Sequence, residues 1–447
     1  MNKKVKIGNA QGFWGDTPTA AATLISQQPD LDYITLDYLS ELSMSILAIQ
    51  REKDSAAGYA RDFIDVIQSL ISHWQKGLKF KVITNAGGLN PRGCALACLK
   101  MLQGHELSHL KIGILTGDNV LELLKRDSEI ADFNNLETGD PLGQIVNKLV
   151  TANAYVGAAS IVQLLDLGAD IIITGRIADP SMVVAPAAYH FKWDLKNYDL
   201  IAQATVAGHL IECGTQVTGG FSNHWHTIEH PEDLGFPWVE IDSDGTFVVS
   251  KSTESTGIVD ERIVKEQLLY EISDPSNYLS PDVCLSIMNL KLSSDGENRI
   301  KVSGATGKAP PPTLKVSATY QHGYKAEGMI GYYGILSHET AIMLKEIIRK
   351  RVSVSGYQLN ELIVECFGCS DERRSSPTEC IIRFAAADEN KKAVEAFGKE
   401  IAPLITSGPQ GLFGYTSGRP KAKPVFGYWP CLIPVDQVSL HTEILTP

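Results

Sequence analysis

Five short apolar runs punctuate the N-terminal part of the chain: KVKIGNA (4–10), DYITLDY (32–38), FKVIT (80–84), LKIGILTGD (110–118) and ADIIITGR (169–176). Each is continuous rather than alternating, which suits a strand covered on both faces. Helical patterns separate them. TPTAAATLISQQ (17–28) predicts a helix with Thr17 as N-cap and Pro18 at its first position. Within AGYARDFIDVIQSLISHWQKG (57–77), Phe63, Val66, Ile67, Leu70 and Ile71 fall at helical spacing. Strand–helix alternation predicts right-handed β-α-β units. The expected fold class is therefore α/β, with a Rossmann-like parallel sheet in the N-terminal half and a mixed α+β C-terminal region.

The pattern changes near residue 230. WVEIDSDGTFVVSK (238–251) predicts a hairpin around Asp244-Gly245. Further strands are expected at 298–304 and 313–320. From about 336 the order is helix, strand, strand, helix. A chain of 447 residues exceeds what one hydrophobic core usually serves. The expected division is a parallel α/β domain over 1–230, a mixed β-rich region over 231–335 and an α+β domain over 336–447.

Ligands of parallel α/β sheets bind beyond the carboxyl ends of the strands. The residues just past each predicted strand are rich in glycine, amide and ionisable groups. Asn9, Gln11, Gly12, Trp14 and Asp16 follow the first; Asp37, Tyr38 and Glu41 follow the second. The third leads into TNAGGLNP, with Asn85, Gly87, Gly88 and Asn90; the fourth into Gly117, Asp118 and Asn119; the fifth into Gly175, Arg176 and Asp179. Together they predict one shared pocket. Glycine-rich loops present backbone amides to anions or carbonyls, so Gly87, Gly88 and the later Gly219-Gly220 are candidate donors. Arg176 is a candidate carboxylate or phosphate clamp, or else the ion-pair partner of Asp179. Asp16, Asp37 and Asp179 are acid/base candidates, although Asp16 also suits a helix cap.

AGHLIECGTQVTGG (207–220) adds Glu212, one helical turn from His209 and adjacent to Cys213. Glu212 joins the acid/base candidates. Cys213 reads as packing more readily than as a nucleophile. His224, His226 and His230 suit a metal only on a helix, and the stretch reads as a loop. Cys366 and Cys369 form a CxxC pair with no second pair to complete a zinc site, and Cys94 and Cys98 read as helix packing. ATGKAPPPTLK (305–315) lacks P-loop spacing, and no GxGxxG occurs, so neither a nucleotide loop nor a dinucleotide fingerprint is present. Lys308 and Lys315 remain able to meet an anionic ligand. The Gly-, Pro- and aromatic-rich stretch 407–430 suits a lid or an interface arm.

A net charge of −12 argues against nucleic acid or an anionic membrane as partner. No leader-like or membrane-length apolar segment is visible, and eight irregularly spaced cysteines fit reduced thiols. These features predict a cytoplasmic protein. A homo-oligomer is expected on general grounds.

The stretches IGNAQGFWGD, LDYLSELSMSIL, TNAGGLNPRGCA, ADIIITGRIADPSMVVAP, AGHLIECGTQVTGG, EQLLYEISDPSNYLSPDV, VSGATGKAPPPTLKV and SGRPKAKPVFGYWP resemble the acyclic terpene utilisation (AtuA-like) family across nearly the whole chain. SNHWH departs from the TDW-like stretch of the family, so its histidines inherit no role. The resemblance implies a context of acyclic terpene and branched-acid degradation as coenzyme A thioesters, with CoA entering as part of the substrate and no separate cofactor. Three functions are consistent with it: a hydratase or lyase acting on a branched acyl-CoA, a non-catalytic acyl-CoA-binding or accessory subunit, and a metal-dependent hydrolase or lyase. The first needs an oxyanion hole and a carboxylate acid/base. Gly87-Gly88 and Gly219-Gly220 are candidates for the one need; Asp16, Asp37, Asp179 and Glu212 for the other. Arg176 and lysines such as Lys315 would meet the CoA phosphates.

Overall fold

The computed structural model describes residues 4–128, 132–334, 337–368, 378–415 and 418–446. The chain forms two compact units, one from the N-terminus to Thr319 together with Tyr428 onward, the other Tyr320–Gly427.

The first unit begins with β1 (Lys4–Asn9), α1 (Ala20–Gln27), β2 (Tyr33–Leu36), α2 (Ser43–Lys53), α3 (Phe63–Gln75), β3 (Lys81–Thr84), α4 (Pro91–Gln103) and β4 (Ile112–Thr116). It continues with α5 (Leu121–Asp127), β5 (Leu149–Ala154), α6 (Ala159–Asp166), β6 (Ile171–Ile173), α7 (Ser181–Phe191) and α8 (Tyr198–Glu212). All five apolar runs are strands. They pair in parallel in the order β1-β2-β3-β6-β4. Their side chains are almost wholly buried on both faces, Val82, Ile83, Ile171, Ile172 and Ile173 completely so, as continuous apolar runs require.

Next come β7 (Pro237–Asp242), β8 (Phe247–Lys251), α9 (Glu261–Leu269), β9 (Tyr278–Leu279), β10 (Cys284–Ser286), β11 (Lys291–Ser294), β12 (Arg299–Ser303), β13 (Thr306–Lys308) and β14 (Thr313–Gly334). The Asp244-Gly245 hairpin forms, joining β7 to β8. It extends the parallel strands, because β7 pairs antiparallel with β1 and β12 with β8. The result is a ten-stranded mixed sheet with a parallel segment. Part of the expected ATGKAPPP loop is strand, since β13 pairs with β10.

The second unit holds the distal half of β14, then α10 (Ser337–Val354), β15 (Glu361–Phe367), β16 (Thr378–Asp388), α11 (Lys391–Glu400), α12 (Leu404–Ser407) and β17 (Leu412–Tyr415). Its strands run antiparallel in the order β15-β16-β14-β17. Ile330, Leu344, Ile348, Ile382, Phe384 and Phe397 form its core. The chain ends with β18 (Lys423–Pro434) and β19 (His441–Leu445); β19 pairs antiparallel with β4 at the edge of the large sheet. About half of the stretch 407–430 is strand, with residues 416–417 outside the described positions. Cys369 also lies outside them.

Two helix starts differ from expectation. The first helix begins at Ala20, and Thr17-Pro18 form a turn closed by the Ala20 amide on the Thr17 carbonyl at 3.2 Å. The helix expected from residue 57 begins at Phe63, from where Phe63, Val66, Ile67, Leu70, Ile71 and Trp74 face the core. By contrast, α8 is buried nearly all round from Ile201 to Glu212, packed by α7, α9 and the strands β1, β7 and β8. Such a helix reads as core rather than as surface, and its C-terminus delivers Glu212 to the end of β1.

Candidate functional site

The ends of the parallel strands meet through a chain of hydrogen bonds. Asp37, just past β2, is buried and accepts from Asn85 Nδ2, just past β3, at 2.6 Å. Asn85 Oδ1 in turn accepts from the Tyr38 amide at 2.7 Å. Arg176, past β6, lies with only 3% of its side chain exposed. Its Nη2 donates to both carboxylate oxygens of Asp179, at 2.7 and 3.0 Å. Its Nη1 donates to the Leu39 carbonyl, and its guanidinium stacks 4.2 Å from the Tyr155 ring centre. Asp118, past β4, accepts from the Arg176 amide and from Asn153 Nδ2, both at 2.8 Å. Asn9, at the end of β1, donates from Nδ2 to the carbonyls of Ile211 and Glu212 at 2.6 and 2.9 Å. It thereby caps the end of α8 and fixes where Glu212 begins.

Burial sets the electrostatics. It pushes the Asp37 carboxyl well above the usual carboxylate range; Asp179 adds to this, while Arg176 and the Asn85 bond oppose it. Burial likewise raises Glu212, helped by Asp179 and Glu271 and opposed by Arg176. Asp179 is raised by burial against the pull of Arg176; 27% of its side chain remains exposed. Asp118 is pushed up to about 6 by burial, held back by the Arg176 amide and Asn153. Glu212 Oε1 lies 3.0 Å from His209 Nδ1, and its Oε2 has no hydrogen-bond partner among the described residues. Lys315 extends the cationic side: its Nζ lies 5.1 Å from the Tyr155 ring centre and 5.9 Å from that of Tyr428. Tyr155 donates to Glu41 at 3.3 Å.

Asp37, Asp179, Glu212, Arg176, Asn9 and Asn85 are therefore one neighbourhood, with Lys315 sharing Tyr155. Three of the four candidate glycine amides are already bonded to backbone carbonyls. The Gly88 amide bonds the Asn85 carbonyl, the Gly219 amide bonds Gln216 and the Gly220 amide bonds Thr215. Gly87 is needed for close approach: a Cβ there would stand 2.5 Å from the Thr174 carbonyl oxygen and 2.8 Å from Pro91 Cα. Asn90 caps α4 by accepting from the Gly93 amide at 2.9 Å, and its Nδ2 bonds the Ala56 and Ala57 carbonyls. Gly12 packs against the Cys213 backbone. Gln11 Nε2 closes on the Phe13 carbonyl, leaving Oε1 without a partner. Asp16 accepts from the amides of Gly12 and Thr17 within its own loop and lines a separate cavity of about 370 Å³. Arg176 makes the Asp179 ion pair, not an exposed clamp. The three glycine corrections share one cause. Backbone donors buried at the end of a strand must find partners, and neighbouring carbonyls supply them first.

Cys213 sits beside the cluster with its thiol pushed up by burial, contrary to what a nucleophile needs. His224 and His226 lie on the surface loop with ring centres 6.3 Å apart, and His230 pairs with Glu232 at 3.4 Å. Among the described residues, no group of three or more His, Cys, Asp and Glu side chains has metal-holding geometry. The seven cysteines with described positions, Cys94 and Cys98 buried among them, carry no disulfide. Among those residues, too, no helix is long and apolar enough to cross a membrane.

Asn153, Tyr155 and Gln267 were not singled out as site residues by the sequence. Asp118 is legible as a strand-end acid. Tyr155 is not, because it reaches the site through the pairing of its amide with the Lys315 carbonyl at 2.9 Å, a contact across the whole unit.

No curated protein matches the chain. Residues 5–444 match the family described as acyclic terpene utilisation family protein AtuA, and the chain belongs to that family.

Proposed function

We propose that this member of the acyclic terpene utilisation family is an enzyme of branched acyl-CoA breakdown, adding or removing water at a carbon–carbon double bond of a CoA thioester. Family membership implies the role in acyclic terpene utilisation; the hydratase or lyase chemistry is our reading of the site. One observation carries it. Asp37, Asp179 and Glu212 share one buried neighbourhood with the Arg176 guanidinium, at the carboxyl ends of parallel strands. Adding water across a double bond needs one group that gives a proton and one that takes it. In this reading Asp179, partly exposed and paired with Arg176, and Glu212, biased by burial toward its neutral form beside His209, are the two groups that exchange protons with the substrate.

In this reading Arg176 supplies the field that stabilises negative charge developing on the thioester oxygen, with its Nε buried and unpartnered. Lys315 meets a CoA phosphate from its exposed position. The Rossmann-like character of the parallel core, a cytoplasmic setting and a homo-oligomeric state belong to the same proposal.

The test is turnover of the purified protein on branched enoyl-CoA thioesters, followed by loss or gain of the conjugated-thioester absorbance, with native mass spectrometry for binding. Asp179→Asn and Glu212→Gln should abolish turnover while the protein stays folded. Binding without turnover would favour a non-catalytic acyl-CoA carrier. Neither binding nor turnover would remove the thioester altogether.

A further inference from the structure

We propose that Glu212 and His209 form a neutral proton-relay pair, in which Glu212 passes its own proton to His209 Nδ1 while accepting a new one at its other oxygen. The proposal rests on the acid/base reading of Glu212, and makes His209 its positioning residue.

Hydrogen-bond geometry fixes the protons. His209 Nε2 lies 3.0 Å from the Gln267 carbonyl oxygen. A carbonyl only accepts, so Nε2 carries hydrogen. A neutral ring protonated there has a lone pair at Nδ1. Glu212 Oε1 faces that lone pair at 3.0 Å, so Oε1 brings the hydrogen. The alternative is an imidazolium beside a carboxylate. It would bury two charges on side chains only 5% and 9% exposed, at a cost that Coulomb attraction repays poorly. The other ionisable groups that act on the pair are Asp179, Asp37 and Glu271, with Arg176 opposing them and Cys213 and Tyr278 close by. Burial favours the neutral form of both members, moving His209 downward and Glu212 upward.

The second observation is Glu212 Oε2, buried and without a partner. With the acid hydrogen committed to His209, Oε2 is the carbonyl oxygen of the acid and therefore an acceptor. A proton leaving a substrate carbon forms a bond to Oε2, and its electron pair stays on the substrate. The Oε1–H bond breaks as the N–H bond at His209 Nδ1 forms. Glu212 ends neutral with its proton on the other oxygen, and His209 ends as imidazolium with Nε2–H on the Gln267 carbonyl. The reverse sequence returns the proton. A neutral carboxylic acid alone is a poor base; coupling to the imidazole lets it take a proton without ever carrying two. His209 and Glu212 stand one turn apart on α8, and Asn9 holds the carbonyls at its end, so the pair is aligned before substrate arrives.

The test uses the full-length wild-type protein labelled with ¹⁵N-histidine. Long-range ¹H–¹⁵N spectra at pH 7, with His209 assigned by its loss in His209→Asn or His209→Gln, should show a neutral ring protonated at Nε2. The infrared spectrum should contain a protonated-carboxyl stretch that disappears in Glu212→Gln. With an active substrate, His209→Asn should lower kcat about 10²-fold and shift the pH profile while leaving KM nearly unchanged. An imidazolium, an Nδ1–H tautomer, or the absence of a Glu212-dependent acid band overturns the pair. The spectra need no substrate, so failure of the thioester reading leaves this result separately readable.

Discussion

Asp118 offers a stability test that needs no knowledge of the substrate. Its carboxyl rises from the ordinary 3.8 to about 6 in the folded protein, because burial outweighs the two hydrogen bonds it accepts. A group with a raised folded-state pKa binds more protons folded than unfolded between those two values. Its contribution to stability is therefore full below about 3.8 and is lost as pH rises through about 6. The loss amounts to roughly 3 kcal/mol, at ~1.4 kcal/mol per tenfold change in proton affinity. Asp118→Asn keeps an oxygen to accept from the Arg176 amide and Asn153, and does not titrate. Equilibrium urea unfolding of both proteins, followed by tryptophan fluorescence and circular dichroism at several pH values from 4 to 7.5, isolates the term, because every other titrating group cancels to first order. The variant should gain on the wild type by roughly 2.5 kcal/mol across that range. A difference that stays flat, or that moves against the variant as pH rises, would refute the argument that burial governs this carboxyl.

Three further substitutions probe the frame of the site. Gly87→Ala drives a methyl into the Thr174 carbonyl and the Pro91 backbone, and should lower stability by about 1–3 kcal/mol in thermal unfolding. Asn90→Ala removes the α4 cap and two bonds to the Ala56 and Ala57 carbonyls; a loss of ~1–2 kcal/mol by urea unfolding is expected. Arg176→Met strips the counter-ion from Asp179 and should cost about 3–5 kcal/mol at pH 7. That cost should shrink toward pH 4, where the carboxyls protonate, in the same unfolding assay.

The parallel core was legible because its signal is local. Each apolar run of four or five residues has only one way to bury both faces, and Gly, Asn and Asp immediately after each run mark the ends at which the site forms. The sheet order was not legible. Insertion of β6 between β3 and β4 and the return of β19 to the edge beside β4 are set by pairings between residues far apart in sequence. The same limit explains the glycines. TNAGGLNP and TGG announce sharp turns in one dimension, but whether their amides face a ligand depends on which carbonyl lies opposite, and here Asn85, Thr215 and Gln216 do. Arg176 shows the complementary case. Its spacing to Asp179 suggested both a clamp and an ion pair, and burial beneath Tyr155 selects the ion pair.

Charge balance ties the site together. Arg176 is a buried cation among Asp37, Asp179 and Glu212, and of these three carboxyls its guanidinium is hydrogen-bonded to Asp179. One guanidinium compensates one carboxylate. Ionising Asp37 or Glu212 as well would add an unpaired charge in a place from which water is largely excluded, at a cost of several kcal/mol on the order expected for a buried ion. The two remaining acids are therefore biased toward their protonated forms, each in its own way: Asp37 keeps an amide donor on Oδ1 from Asn85, and Glu212 shares with His209. Arginine at position 176 thus sets how many protons the site retains. Removing its charge should raise that number toward three, so proton uptake on Arg176→Met, read by potentiometric titration of native protein near pH 6, should exceed the wild type. Uptake no greater than the wild type would mean that Asp179 keeps its charge without Arg176, and the account of the cluster as a charge-limited proton store would fail.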